Sequence, residues 1–409
     1  MRFLRRGLFI SAVFMFFSCA SLRIPLSAIR TGGGEELSIA IAAGRDVNAG
    51  YPGGVSPLME ASYRNLPEIA AVLIASGANI EARDKDGFTA VMYAAAGNSV
   101  SCAELLVQKG ADTGKGEYLT GKTALFFAAE NNSAGMANLL FPLSSSGETV
   151  FNGGVTPLMY SAALGAGAAS AALIKNGADI KQRDDLGRDA LFHAVKNNVV
   201  ETAGLLIKSG ADVNAEYDSG LLHLAAANNN VDMIKLLMKS GANAGFKDKQ
   251  GCSSFGEAVR EGSIDAASFF LDTGSSANEK QGDMTPVMIA AKNGDLKMTI
   301  LLTENMADVN TASADGTTAL FYAALNASPC IAEFLISIGA DVNAADSKGW
   351  TPLMTAVSEN NSDTAILLIK SFADVNARNA EALNALEIAK YKRNDKMVSA
   401  LKASGAREY

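Results

Sequence analysis

Cap-forming, apolar and turn-forming positions recur along this chain with a period of about 33 residues. Eleven tetrads begin with a cap-forming residue, usually Thr or Ser, followed by a small residue, Pro or, once, Leu, and then by at least one apolar residue. They begin at Ser56, Thr89, Thr123, Thr156, Asp189, Gly220, Ser253, Thr285, Thr318, Thr351 and Asn384. Their successive spacings are 33, 34, 33, 33, 31, 33, 32, 33, 33 and 33 residues. So constant a period is typical of architectures in which one small structural repeat is stacked many times.

Each period predicts two helices. The tetrad suits a helix start, because a Thr or Ser side chain caps free backbone N–H groups and Pro at the first helical position has no N–H to satisfy. About nine residues after the cap comes Asn or Gly, such as Asn98, which tolerates the left-handed conformation that ends a helix. A second helix follows with an apolar pair such as Leu205-Leu206 and stops at a Gly-Ala-Asp segment such as 210–212. Polar turns such as 84–87 then lead to the next cap.

At these residues the chain resembles the ankyrin repeat family. The resemblance rests on pairs of segments such as Thr156-Pro157-Leu158 and Gly339-Ala340-Asp341-Val342-Asn343, and it covers residues 37–409. It implies an all-α solenoid of about eleven helix–turn–helix repeats, each with a protruding β-hairpin finger, preceded by a partial repeat that acts as an N-terminal cap. The family usually has His directly after Thr-Pro-Leu, and here only His223 keeps it. Met or Phe stands at eight of the other positions: Met59, Met92, Met159, Met288, Met354, Phe126, Phe192 and Phe321. Since Met fills irregular gaps well, we expect apolar packing where a polar contact between repeats is usual.

The N-terminus reads as a targeting signal. Residues 1–19 contain three Arg, then an apolar run of about ten residues, which is too short to cross a bilayer but suits a secretory signal. Ser18 before Cys19 resembles a bacterial lipoprotein signal, which implies cleavage before Cys19 and lipidation of its thiol. Phe16 and Phe17 depart from the usual pattern, so conventional cleavage without lipid remains the alternative. We expect residues 20–36 to form a flexible linker.

Composition excludes several classes of function. The formal net charge is −8, and removal of the signal with its three Arg makes it −11, whereas nucleic-acid binding needs clustered cations. Cys102, Cys252 and Cys330 are too few and too far apart for a disulfide framework. The only two histidines, His193 and His223, lie in neighbouring repeats without a third metal ligand. We therefore expect no catalytic site, no metal and no cofactor.

The resemblance also implies where a partner binds, namely on the fingers and the exposed side of the first helices. Phe88 and Trp350 precede their caps and fall on fingers, and aromatic residues are frequent interface hot spots. Tyr93, Phe127 and Tyr160 each stand four residues after a cap, where the side chain faces the groove. Packing of these residues within the fold is the alternative in both cases.

The sequence thus predicts a monomeric scaffold that holds a protein partner of unknown identity. The signal places it in the cell envelope, lipid-anchored in the periplasm or at the cell surface, with a membrane contact only through the N-terminal lipid. An exported effector that engages host proteins is the alternative, and an enzyme is a minor one.

Overall fold

The computed structural model describes residues 23–144, 150, 152–217 and 220–407. The chain divides into an N-terminal unit, residues 1–211, and a C-terminal unit, residues 212–409, and each is described by itself. Cys19 and the predicted signal lie outside the described residues. No helix among the described residues is long and apolar enough to span a membrane.

The N-terminal unit is built from paired short helices. They are α1 Leu26–Arg30, α2 Gly34–Ala42, α3 Pro57–Tyr63, α4 Pro67–Ala75, α5 Ala90–Ala96, α6 Val100–Gln108, α7 Ala124–Glu130, α8 Ala134–Leu140, α9 Pro157–Leu164, α10 Gly167–Lys175, α11 Ala190–Lys196 and α12 Val200–Lys208. A 3₁₀ turn, Phe141–Leu143, follows α8 where the sequence lacks its Gly-Ala-Asp segment. The first helix of each repeat packs on the first helix of the next, from α3 to α11, and the second helices pack on one another in the same way.

The C-terminal unit repeats this arrangement. Its helices are α13 Leu221–Ala227, α14 Val231–Lys239, α15 Ser254–Arg260, α16 Ile264–Asp272, α17 Pro286–Asn293, α18 Leu296–Glu304, α19 Ala319–Leu325, α20 Pro329–Ser337, α21 Pro352–Ser358, α22 Ser362–Lys370, α23 Ala385–Tyr391 and α24 Asp395–Ala403. Its first helices pack in sequence from α13 to α23. The all-helical repeat fold is therefore confirmed in both units.

Local sequence explains where these helices begin and end. The Ser56 hydroxyl accepts a hydrogen bond from the Met59 amide at 3.2 Å, and Thr351 caps Met354 in the same way at 3.3 Å. Asn98, which separates α5 from α6, has a φ of 52°, the left-handed conformation that Asn adopts more readily than most residues. Each repeat is thus punctuated by residues whose backbone preferences match its turns.

Methionine takes part in capping as well as in packing. The Met59 side chain is fully buried, and its thioether sulfur lies 3.2 Å from the Ser56 amide nitrogen, which donates to it. Met159 and Met288 accept from the amides of Thr156 and Thr285 in the same way. The apolar packing expected at these positions is present, and a weak sulfur hydrogen bond adds to it.

The fingers are tight turns rather than strand hairpins. In the described part of the chain, β-pairing consists of three isolated bridges, Arg23 with Asp46, Lys247 with Ser253 and Gln281 with Met284. The turn before α5 shows the reason: the Asp84 carboxylate accepts from the amides of Asp86 and Phe88, at 3.0 and 2.8 Å. A side chain that satisfies these amides replaces the ladder that strands would form. The expected β-hairpin fingers are not confirmed.

Residues 23–36, which we expected to be linker, contain structure. Helix α1 buries Ala28 and Ile29, and Ile24 before it is also buried. The Tyr51 hydroxyl donates to the Ile24 carbonyl at 3.1 Å, and α1 packs on α3. This segment carries enough apolar surface to cover the first full repeat, which a composition rich in Gly and polar residues concealed.

Candidate functional site

A cluster of aromatic side chains lies on the first helices of the N-terminal unit. Phe88 packs against Tyr93 with ring centroids 5.8 Å apart and against Phe127 at 5.3 Å. Tyr63, at the end of α3, meets Tyr93 edge-on at 6.4 Å. Phe88, Tyr93 and Phe127 are half-buried, whereas Tyr63 is 43% exposed. We call Tyr63, Phe88, Tyr93 and Phe127 the aromatic cluster.

Tyr93 is held in place by a polar contact as well. Its hydroxyl donates to Asp84 Oδ2 at 2.8 Å, and Asp84 is itself buried in the turn before α5. Burial and the hydrogen bond to the Asp84 carboxylate both raise the pKa of Tyr93 far above its ordinary value. The phenol therefore stays protonated, so that the cluster presents a fixed apolar surface with one anchored hydroxyl.

Tyr160 extends this surface into the next repeat. Its ring packs on Phe126, at 5.9 Å, which is the buried neighbour of Phe127. The Lys122 ammonium lies 4.4 Å from the Tyr160 ring centroid and 2.7 Å from its hydroxyl oxygen. A cation over an aromatic face is a favourable contact, and Lys122 also lies 3.8 Å from the Glu130 carboxylate.

The same helix position one repeat further on carries His193. His193 Nε2 lies 3.0 Å from Asp184 Oδ2, the buried acid of its own turn, and Arg188 contacts that carboxylate at 2.8 Å. Burial lowers the pKa of His193, and the Asp184 carboxylate offsets this only in part. His193 repeats the geometry of Tyr93 with Asp84, since in both of these repeats a turn acid holds the side chain four residues after the cap.

Trp350, the fifth predicted contact residue, lies in the C-terminal unit. It is half-buried before α21, where its amide donates to Asp346 Oδ1 at 2.7 Å. Among the described residues its ring makes no ring–ring or cation–ring contact, unlike Phe88 at the equivalent position. The structure thus brings Phe88 onto Tyr93 and Phe127, whereas the sequence predicted a row of Tyr93, Phe127 and Tyr160 with Phe88 apart on a finger. Trp350 belongs to a separate unit.

Sequence reasoning missed two members of this surface. Tyr63 stands seven residues after its cap, near the end of α3, and Lys122 precedes the cap of α7. Lys122 occupies the same position before a cap as Phe88 and Trp350, but only aromatic residues were selected at that position, and Tyr63 lies outside both positions from which contact residues were selected. The signal that identifies both is spatial, because each contacts an aromatic ring of the next repeat.

One group of possible metal ligands occurs among the described residues of the C-terminal unit. Ligand atoms of Asp248, Cys252 and Glu257 all lie within 4.8 Å of one another. Burial raises the pKa of the Cys252 thiol to about 11, and Glu257 is paired with Arg260. A protonated thiol and a neighbouring guanidinium both oppose cation binding.

His223 has a structural role in its repeat. The ring is buried, its Nε2 lies 2.9 Å from the Cys252 carbonyl oxygen, and its Nδ1 lies 3.0 Å from Ser254 Oγ. Both partners belong to the following repeat. His223 therefore supplies the polar link between repeats that Met or Phe replaces elsewhere in the chain.

Comparison with known proteins accounts for the repeat. The family model for ankyrin repeats in three copies matches overlapping segments that together run from residue 28 to residue 408. Among solved structures, an ankyrin repeat domain from Acinetobacter baumannii AYE is similar at 27% identity and a TM-score of 0.43, over 46% of this chain and 98% of that one. No curated protein matches. Proteins built from this repeat serve in general as non-enzymatic scaffolds that bind other proteins. Because the family model covers far more than half of its length, the chain belongs to the ankyrin repeat family.

Proposed function

We propose that this protein is an interaction scaffold of the bacterial cell envelope, tethered through a lipid on Cys19. It holds a protein partner on the aromatic cluster and Tyr160, with Trp350 as a contact in the C-terminal unit. The observation that carries this proposal is the continuity of Tyr63, Tyr93, Phe88 and Phe127 across three repeats.

The geometry of the cluster supports a binding role. Half-buried rings that pack on one another lose little conformational entropy when a partner covers their remaining surface. Aromatic residues also dominate the energetics of protein interfaces. Lys122 beside Tyr160 adds a cation at the border of this apolar surface, which favours a partner with an apolar centre and an acidic side chain next to it.

The tether follows from the sequence pattern around Cys19. Lipidation with two or more acyl chains gives stable anchoring, since each buried methylene contributes about 0.8 kcal/mol. With a lipid at Cys19 and the first helix beginning at Leu26, only six residues, 20–25, separate the anchor from that helix. The scaffold then holds its partner close to the membrane surface.

Affinity capture from native envelopes tests partner and anchor together. The full-length chain with a C-terminal tag is crosslinked in cells, and captured proteins are identified by mass spectrometry. We expect a defined partner on the wild-type chain and a loss of at least tenfold with the double variant Phe127→Ala and Tyr160→Ala. The matched control is Tyr322→Ala, because Tyr322 occupies the same repeat position in the C-terminal unit and has Lys292 5.9 Å from its ring centroid. Equal capture by all three chains would contradict the proposed surface.

The N-terminal peptide from the same preparation reports the anchor. An acylated Cys19, absent from Cys19→Ala, supports the tether, whereas an unmodified cleaved terminus contradicts it. Release of the wild-type chain into the culture medium would favour the alternative, an exported effector that engages host proteins.

A further inference from the structure

Two repeats of the C-terminal unit end their second helix with an unusual residue. At this turn Gly241, Gly274, Gly339 and Gly405 have positive φ angles, between 88° and 105°. Met306 and Phe372 occupy the same turn after α18 and α22, with φ angles of 67° and 66°. A side chain in the left-handed region meets steric strain that Gly avoids. The sequence thus keeps bulky apolar residues where a small one fits better.

These side chains do not contribute to the core. Met306 is 83% exposed and Phe372 is 89% exposed. Ile338, which precedes Gly339 in the intervening repeat, is 44% exposed. Isolated exposed apolar residues are common on protein surfaces, but here three of them stand at the same turn of three successive repeats. We call Met306, Ile338 and Phe372 the apolar edge.

Hydrogen bonds between repeats show that the edge is continuous. Asn278 Nδ2 donates to the Met306 carbonyl at 2.9 Å, and its Oδ1 accepts from the Asp308 amide at 2.7 Å. Asn310 makes the same two contacts with Gly339 and Asp341, at 3.0 and 2.8 Å. In the next repeat, the Asp374 amide donates to Asn343 Oδ1 at 2.8 Å. Each repeat therefore holds the following turn in the same register.

The apolar edge is bordered by negative charge. Segments 304–308, 337–341 and 370–374 contain four acidic residues, Glu304, Asp308, Asp341 and Asp374, and one basic residue, Lys370. The three Asp residues are exposed and recur two residues after each left-handed position. A surface that alternates apolar side chains with carboxylates is complementary to one that alternates apolar side chains with cations.

We propose that the apolar edge is a second docking surface, which binds a cationic amphipathic segment of a partner protein. Apolar side chains of that segment cover Met306, Ile338 and Phe372, while its Lys or Arg side chains pair with Asp308, Asp341 and Asp374. Two steps of about 10 Å between packed helices separate Met306 from Phe372. A helix of about 14 residues, at about 1.5 Å per residue, spans that length.

The negative charge of the apolar edge favours a cationic segment over two other occupants, an anionic lipid surface and a second copy of this chain. Anionic lipid headgroups repel an acidic edge, and symmetric pairing of two copies would bring carboxylates against carboxylates. The surface lies in the C-terminal unit and shares no residue with the aromatic cluster. The two proposals can therefore fail independently: a result that contradicts docking at the apolar edge does not contradict binding at the aromatic cluster.

A designed peptide tests the proposal. The probe is a fluorescein-labelled 18-residue helix with Leu on one face and Lys on the other, titrated with the full-length chain and followed by fluorescence anisotropy. We expect the double variant Met306→Gly and Phe372→Gly to weaken binding by at least about tenfold while the thermal midpoint rises, because Gly relieves the left-handed strain. A role in folding alone predicts a changed midpoint with unchanged affinity, which would overturn the proposal.

The chain offers a matched control. Ala327 and Ala382 also have positive φ angles, 52° and 61°, and lie outside the apolar edge. The double variant Ala327→Gly and Ala382→Gly relieves comparable strain, so its midpoint should rise with no change in affinity. Equal loss of affinity in both double variants would overturn the proposal.

Further probes separate the contributions and the other occupants. A peptide with Ser in place of Leu should bind at least tenfold more weakly, and the triple variant Asp308→Asn, Asp341→Asn and Asp374→Asn should remove most of the salt dependence. Tighter association with phosphatidylglycerol vesicles than with the peptide, or dimerisation that the Met306→Gly and Phe372→Gly changes abolish, would assign the edge to lipid or to a second copy and overturn the proposal.

Discussion

The aromatic cluster of the N-terminal unit and the apolar edge of the C-terminal unit are both rows of large apolar side chains, yet their surroundings are opposite. Tyr93 touches two rings and donates to a buried carboxylate. Phe372 is 89% exposed and stands in a left-handed backbone conformation. The first row is supported by the fold, whereas the fold tolerates the second at some cost.

This difference separates two ways of making a binding surface. In the proposed function, residues of the aromatic cluster serve both stability and recognition, so that a change there affects both. Met306 and Phe372 of the apolar edge contribute little to the core, so that a change there should leave the fold intact or improve it. Stability measurements therefore distinguish the two surfaces before any partner is known.

The largest effect is expected for Tyr93→Ala. This change removes ring packing on Phe88 and Tyr63 and leaves the buried Asp84 Oδ2 without its donor, so the unfolding free energy should fall by about 3 kcal/mol. Urea titration followed by far-UV circular dichroism measures it. Phe372→Ala, the comparison variant, should change the unfolding free energy by less than about 0.5 kcal/mol. A Tyr93→Ala loss as small as that would mean that the aromatic cluster is not part of the core.

The contrast between a predictable and an unpredictable surface has a physical origin. Repeat period, helix caps and the positions of Phe88, Tyr93 and Phe127 follow from residue spacing, because the same backbone geometry recurs in every repeat. Tyr63 joins the cluster only through a contact with the next repeat, which no position pattern encodes.

Met306 and Phe372 were overlooked because a pattern search treats a missing Gly as a weak match. The structure shows that the turn keeps its positive φ at these residues and that their side chains are exposed. The helix at residues 26–30 was missed for a similar reason, since Ala28 and Ile29 become informative only when α3 is placed beside them.

A second effect concerns the turn acids Asp84 and Asp184, which hold Tyr93 and His193 in place. Burial alone would raise the pKa of Asp184, but hydrogen bonds from Arg188, His193 and the turn amides outweigh it and hold the pKa below its ordinary value. A depressed pKa means that the contribution to stability is complete at neutral pH and is lost as the pH falls below about 4. Asp184→Asn should cost about 2 kcal/mol at pH 7 and make acid unfolding less steep, as read from urea midpoints between pH 7 and pH 3.

The control for this effect comes from the apolar edge. Asp308 is exposed and its Oδ1 accepts from the Asn310 amide, a contact that an amide side chain can also make. Asp308→Asn should therefore leave the urea midpoint at pH 7 unchanged. If Asp308→Asn and Asp184→Asn behave alike, the anchoring role of Asp184 is wrong.

A smaller effect isolates the hydroxyl of Tyr93. Tyr93→Phe keeps the ring contacts and removes the donor to Asp84, which should cost about 1 kcal/mol at pH 7. The raised pKa of Tyr93 means that its contribution is complete below about pH 10, the value for an unfolded Tyr, and is lost as the pH rises beyond it. Unfolding midpoints from pH 8 to pH 12 should therefore decline less steeply in Tyr93→Phe than in the wild type.

Tyr51 also contributes to the decline in stability at alkaline pH. Burial raises its pKa to about 12, so that its own contribution also declines above about pH 10. Tyr51→Phe in combination with Tyr93→Phe should flatten the alkaline profile further. Identical profiles for the wild type and Tyr93→Phe would show that the hydroxyl does not bond to Asp84 in solution.

The smallest effects should have the opposite sign and lie on the apolar edge. Met306→Gly and Phe372→Gly each relieve a left-handed side chain at about 1 kcal/mol per residue, reduced by the greater chain entropy that Gly brings to the unfolded state. Each variant should therefore raise the urea midpoint slightly, whereas Gly339→Ala at the equivalent turn, where φ is 96°, should lower it. The opposite signs matter more than the size of either change. If the turn accepted any residue equally well, all three substitutions would leave the urea midpoint unchanged. Stabilisation on removing Met306 and Phe372, with destabilisation on filling Gly339, would mean that the chain keeps two strained apolar residues for a purpose other than folding.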